Sequence, residues 1–256
     1  KSLGQNFLFD LNLTSKIART GTPFANTVIE IGPGPGGLTR ALLLEGAKQV
    51  IAIEKDRRVI GFLEHLVKAA DGQLTVIEAD ALAEPIWELG TGPRQIIANL
   101  PYNIATTLLL QWLEHAVSFT SFILMFQKEV ADRIIASNNN SNYGRLSILA
   151  NWKLIIKKIC DIKPTSFSPK PKIDSSLLLF TPKKNFYKIK NPKNLEKITR
   201  IFFNNRRKMI KKPFNQIFNG DLRILEKLKI DLNLRPQNLN FETYYKLTSE
   251  YEKLIS

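Results

Sequence analysis

Cysteine is all but absent from this chain: Cys160 is the only one in 256 residues, so no internal disulfide can form and a structural zinc site built from thiolates is excluded. A reducing, cytoplasm-like compartment suits that composition. Histidine is nearly as scarce, and His65 and His115 both fall in stretches of amphipathic helical periodicity. A surface or packing role fits them there, so the chain offers no evident general base and no metal site is expected. No apolar run approaches the roughly 20 residues that cross a bilayer, and Lys1 to Asp10 lack the apolar core of a secretion signal. A soluble protein, away from membranes, is the expectation. Acidic residues are also in deficit, at 23 Asp and Glu against 37 Lys and Arg, for a formal charge of +14. That excess suits a polyanion such as RNA, DNA or an acidic membrane surface, or simply a solvated basic surface. It is uneven: residues 185–256 hold 16 basic and 7 acidic side chains, whereas residues 1–184 hold 21 and 16.

A hydrophobic share of 44% points to a packed globular fold. From Thr27 to about Ile123, short apolar runs alternate with amphipathic stretches, which predicts an α/β chain with a parallel sheet. Thr27 to Ile31, Gln49 to Ile53, Leu74 to Glu78, Gln95 to Ala98 and Ser121 to Phe126 read as buried strands rich in Ile or Val. Helical spacing links Leu38, Ala41 and Leu42, then Val59, Ile60, Leu63, Leu66 and Val67, then Leu108, Leu109, Trp112 and Leu113. Trp152 to Ile159 and Ser175 to Phe180 read as an antiparallel edge hairpin around the proline-bearing loop Pro164 to Lys172. Beyond Pro182 the pattern turns helical and lysine-rich, with Ile198, Ile201 and Phe202 in one segment and Leu222, Leu225 and Leu228 in another. A boundary near Lys184 therefore separates residues 1–184 from a small helical unit, 185–256, and Ser137 to Asn142 is expected to form an exposed loop.

The chemistry gathers at the predicted strand ends. Gly32, Gly34 and Gly37 follow the first strand in the G-x-G-x-x-G spacing that lets backbone approach a ligand at a helix start. Glu54 closes the second strand 22 residues after Gly32, where a carboxylate can hold both hydroxyls of a ribose. Those two features suit an adenosine cofactor, but a NAD enzyme carries them as well. Asp80, after the third strand, can accept from an adenine amino group or merely cap a helix. Asn99-Leu100-Pro101-Tyr102 ends the fourth strand and decides between the alternatives. An exocyclic adenine nitrogen is a poor nucleophile because its lone pair is delocalised into the ring. The Asn99 side-chain oxygen and the Leu100 carbonyl can hold its two N–H groups and favour a tetrahedral nitrogen. Pro101 fixes its own φ and keeps Leu100 extended, which aims that carbonyl outward, while Tyr102 can stack on the base.

With these residues, the chain resembles the small-subunit ribosomal RNA adenine dimethyltransferases of the kasugamycin-sensitivity type. The resemblance spans nearly the whole sequence and includes Gly4-Gln5-Asn6-Phe7-Leu8, Asn99 to Asn103, Phe126 to Val130, Tyr143 to Ser147 and the Phe167 to Ser175 loop. It implies a Rossmann-like class I S-adenosylmethionine methyltransferase sheet followed by a small helical domain. It also implies a cofactor site at Asn6, Leu8, Gly32, Gly34, Glu54, Asp80 and Asn99, with Asn99, Leu100, Pro101 and Tyr102 presenting the amine and Phe167 as a second aromatic face. The implied reaction adds two methyls to each of two neighbouring adenosines in the hairpin loop near the 3′ end of small-subunit RNA, within a pre-ribosomal particle. A monomer is expected, with Arg206, Arg207, Lys208, Lys211 and Lys212 gripping RNA backbone and further residues preceding Lys1. Two alternatives remain open: the related large-subunit methylase of macrolide resistance, in which Ile usually stands at the position of Leu100, and an assembly factor without catalysis.

Overall fold

The computed structural model describes residues 6–255, which leaves Lys1 and the Gly4-Gln5 of the first motif outside the described residues. Short β1 (Phe7–Leu8) leads into α1 (Leu11–Thr20), whose first turn is capped by the Asp10 carboxylate accepting from the Asn12 and Leu13 amides. Strands and helices then alternate: β2 (Thr27–Ile31), α2 (Gly37–Leu44), β3 (Val50–Glu54), α3 (Arg57–Ala69), β4 (Leu74–Glu78), β5 (Arg94–Ala98), α4 (Ala105–Glu114) and β6 (Phe119–Gln127). Every residue of β2 and β3 is buried, as strands covered on both faces require. In α3 only Val59 and Leu63 are buried, so that helix keeps one face toward the sheet and one toward water.

Helix α5 (Lys128–Ile135) and helix α6 (Arg145–Lys153) precede β7 (Leu154–Ile162), β8 (Phe167–Ser168) and β9 (Ser175–Pro182). The seven-stranded sheet runs β4-β3-β2-β5-β6-β9-β7, with the first five strands parallel and β9 antiparallel to β6. The hairpin's second strand therefore lies inside the first one in the sheet. Trp152 and Lys153, expected in that strand, instead close α6, where the Trp152 indole donates to the Tyr187 carbonyl at 2.7 Å. Inside the proline-bearing loop, β8 pairs antiparallel with β1, placing Phe7 opposite Ser168 and Leu8 opposite Phe167. Two-residue strands of this kind have no period to read, and they were not expected.

By packing, the chain divides into one unit up to Ala131 plus Ile155–Pro182, and a second of Asp132–Leu154 plus Lys183 onward. Relative to the expected division at Lys184, residues 132–154 join the second unit because their large side chains pack there: Tyr143 against Phe203 and Phe241, and the Ile148 carbonyl under the Tyr245 hydroxyl. That unit is completed by α7 (Pro192–Phe203), α8 (Lys211–Phe218), α9 (Leu222–Leu228) and α10 (Phe241–Leu254) around buried Ile198, Phe202, Phe214 and Tyr244. The expected loop 137–142 turns at Asn139, whose φ of +67° is tolerated by asparagine.

Candidate active site

The sheet order reverses direction between β2 and β5, so the connections leaving these two neighbours run to opposite faces of the sheet. A crevice opens at their carboxyl ends, where doubly wound sheets bind ligands. Ile29 stands beside Ile96, and continuing that register brings Gly32 level with Asn99. On the other side, Ile31 pairs with Ile53 and the Gly32 amide donates to the Ile53 carbonyl at 2.9 Å, which sets Glu54 beside the glycine turn. Residues far apart in sequence thus converge because their strands are neighbours.

Two clefts meet at this point and share Gly32 and Pro101. The first, about 550 Å³, is lined by Asn6, Leu8, Glu30, Asn99, Leu100 and Tyr102 among others. The second, about 650 Å³, has Glu54, Asp80, Ile53, Leu82 and Ile104 in its walls. Gly32 sits at φ +67° and Gly34 at +56°, a region that costs an L side chain roughly 1–2 kcal/mol, and a Cβ on Gly34 would lie 2.5 Å from the Phe7 ring. Glycine is required at both positions by conformation, and at Gly34 by space as well.

Glu54 is buried at 3% exposure. Its Oε1 accepts from the Asp56 amide at 2.8 Å, but among the described residues Oε2 has no partner. Burying a carboxylate oxygen without a donor is costly, so this atom is matched to a group that a ligand would bring, such as a ribose hydroxyl. Asp80 accepts from the Leu82 amide at 3.0 Å and pairs with the exposed Lys55 ammonium at 2.7 Å. The Lys55 hydrogen bond, and then the Leu82 amide, hold its carboxyl below the usual range, so it is an ionised acceptor at neutral pH. These residues fit an adenosine moiety: an acceptor pair for hydroxyls, an acceptor for an amino group, and apolar walls for a flat ring.

Across the shared wall, the Asn99 amide nitrogen donates to the Asn6 carbonyl at 2.9 Å, and among the described residues no hydrogen bond engages Asn99 Oδ1. The Pro101 carbonyl is taken by the Ile104 and Ala105 amides, while among the described residues no backbone donor takes that of Leu100. Asn99 and Leu100 both line the first cleft. Tyr102 lines it too, its hydroxyl sharing a 2.6 Å hydrogen bond with the Ser175 hydroxyl. Phe167 does not line either cleft: it is 3% exposed and packs in the core with Leu8, Ile162 and Leu177.

Sequence reasoning gave Glu30 no role beyond its place in the first strand, Thr27 to Ile31. The structure buries it at 1% exposure on the wall of the first cleft, with the Thr39 hydroxyl donating to its Oε2 at 2.6 Å. Burial pushes its pKa up to about 8, opposed by the Thr39 hydrogen bond and aided by the Glu54 charge. Nothing in a linear motif distinguishes a neutral acid from an ionised one.

In the second unit, Arg207, Lys208, Lys211 and Lys212 line a shallow groove of about 1300 Å³ with Asn233 and Arg235, and no acidic side chain contributes to it. Arg206 is turned inward, donating to the Gln237 side chain at 3.1 Å and the Asn140 carbonyl at 3.2 Å. Arg235 carried no sequence signal, since only folding brings it beside the basic run.

The chain matches the model of the family described as ribosomal RNA adenine dimethylase over residues 1–253. It is 54% identical to the ribosomal RNA small subunit methyltransferase A of Pelagibacter ubique, covering 99% of this chain and 97% of that protein. To the protein of the same description from Rhodospirillum rubrum it is 50% identical, over 82% of this chain and 74% of that one. Among solved structures, a dimethyladenosine transferase from Plasmodium falciparum superposes with a TM-score of 0.82 at 28% identity, covering 96% of this chain and 98% of that one. A 23S rRNA methyltransferase, ErmE, shares the fold at a TM-score of 0.71 and 22% identity, over 96% of this chain and 100% of that one.

Proposed function

The chain belongs to the ribosomal RNA adenine dimethylase family, and from that premise we propose that it methylates N6 of two adjacent adenosines in the 3′-terminal hairpin loop of small-subunit rRNA, within a pre-ribosomal particle. The donor, S-adenosylmethionine, supplies a methyl group on a positively charged sulfur. Glu54 would hold its ribose, Asp80 its adenine amino group, and Gly32 and Gly34 the backbone that approaches it; Asn6, Leu8 and Asn99 would border its amino-acid end. The fit rests on the unpartnered Glu54 oxygen and on the glycine turn between the two clefts.

On the acceptor side, Asn99 Oδ1 and the Leu100 carbonyl would accept the two N–H groups of the target amine. Accepting both withdraws the nitrogen lone pair from conjugation with the ring, and a free lone pair is what the methyl carbon requires. Tyr102 would stack on the base once it has left its own stack. Phe167 would supply the opposite face only by turning out of the core beside Leu8. No base need act before transfer, because the nitrogen loses its proton readily after gaining a methyl. Arg207, Lys208, Lys211 and Lys212 would neutralise RNA phosphates, which positions the substrate without reading its sequence. Arg206 supports their groove from inside.

The observation that carries this reading is the Asn99 amide, held by the Asn6 carbonyl so that its acceptor end is free. Immature small subunits and bare large-subunit RNA are incubated with the protein and labelled S-adenosylmethionine, and the modified nucleotides are mapped by mass. Two neighbouring dimethyladenosines in the small-subunit hairpin are expected. Label confined to large-subunit RNA, or none transferred, would overturn the assignment.

A further inference from the structure

Tyr102 is held from a distant part of the chain. Its partner, Ser175, opens β9 and is fully buried, and its backbone is fixed from both sides: Gln127 stands opposite it in β6, and the Lys128 amide donates to the preceding Asp174 carbonyl at 2.9 Å. The next residue, Ser176, donates to Asp161 at 2.6 Å, and Asp161 is gripped by the Lys128 and Lys158 ammonium groups, each at 2.6 Å. The hydroxyl that meets Tyr102 is therefore built on a rigid strand, although it follows a proline-rich loop.

We propose that Ser175 is a positioning residue for the reaction, setting the plane of the Tyr102 ring so that one face lies open in the first cleft. The proposal rests on the reading of Tyr102 as the ring that stacks on the target base. A phenolic oxygen is conjugated with its ring, so its hydrogen and its best acceptor direction lie near the ring plane. A partner fixed in space, 2.6 Å away, therefore fixes the plane and stops the side chain swinging about χ1. Burial raises the phenol's pKa against the opposing hydrogen bond from Ser175, so the group stays neutral in the range where the enzyme works. Without the tether the ring would sample orientations that meet a purine edge-on, and the stacked arrangement would be only one of several.

The test replaces a target adenosine with formycin, a fluorescent adenosine analogue that keeps its exocyclic amine and is quenched by stacking, in immature small-subunit particles, and titrates them with wild type, Tyr102→Ala, Tyr102→Phe, Ser175→Ala and the Tyr102→Phe/Ser175→Ala double variant. Wild type should keep the flipped base quenched, and Tyr102→Ala should let it brighten. Tyr102→Phe and Ser175→Ala should each weaken the quenched complex about fivefold, as expected for one hydrogen bond, and the double variant should be no weaker than either. Affinity for S-adenosylhomocysteine should stay at the wild-type value in Ser175→Ala. Additive losses, or a wild-type response from Tyr102→Phe, would overturn the proposal while leaving the stacking role intact. Full quenching by Tyr102→Ala would remove the stacking role and the proposal together. If Ser175→Ala fails to fold, Tyr102→Phe alone carries the test.

Discussion

Glu30→Gln should make the protein's stability less sensitive to pH, and the size of the change follows from burial. An ordinary glutamate at 4.5 is raised to about 8 here, so between those values the folded protein keeps a proton that the unfolded chain has released. Stability then falls as pH rises: the penalty is absent below 4.5, grows by up to about 1.4 kcal/mol per pH unit, and is complete above 8. Integrating between pH 5 and pH 7 gives about 2–3 kcal/mol, which the glutamine variant does not lose. Wild type and Glu30→Gln are unfolded in urea without cofactor at pH 5, 6, 7 and 8, and the difference between their unfolding free energies is plotted. It should climb steadily in favour of the variant. Any fixed cost of the new amide beside Thr39 shifts the line without tilting it. A flat line would mean that Glu30 is ionised in the fold, and that burial on the cleft wall is not the dominant influence on it.

Asn99→Ala removes one of the two acceptors and should lower single-turnover methylation by about a hundredfold to a thousandfold, the usual scale for a group aligned with a reacting centre. Gly32→Ala forces a side chain into φ +67°; calorimetry should show at least about tenfold weaker S-adenosylhomocysteine binding, with a stability cost of about 1–2 kcal/mol. Arg206→Ala and Arg207→Ala should separate: the first destabilises the second unit by about 1–2 kcal/mol through two lost hydrogen bonds. The second leaves the melting temperature unchanged but reduces the salt dependence of RNA binding by about one counterion.

The parallel strands were legible because burial on both faces leaves an unmistakable apolar run; β2 and β4 occupy the predicted spans, β3 is shifted one residue later, and β5 and β6 extend theirs by one or two residues at an end. Asn99 and Gly32 were legible because a strand end in a doubly wound sheet is a place as much as a residue. Other parts depend on contacts between distant segments. The β1–β8 pair is two residues long and has no periodicity, yet it is what brings Leu8 and Phe167 together. Trp152 is apolar in helix and strand alike, so its place at the end of α6 comes from the Tyr187 carbonyl it reaches. The inward turn of Arg206 is invisible beside four like-charged neighbours, because only the fold puts Gln237 and Asn140 within its reach.

If the first cleft takes the target base as proposed, the carbonyl of Asn6 also bears on which purines it admits. With the Asn99 nitrogen committed to it, the amide shows a bare oxygen to the cleft, and the Leu100 carbonyl adds another. Guanine and hypoxanthine carry an oxygen where adenine carries its amine, and would bring lone pairs against lone pairs. Selection among bases would then come from repulsion of the wrong one, decided by a main-chain atom 93 positions upstream of the side chain it orients.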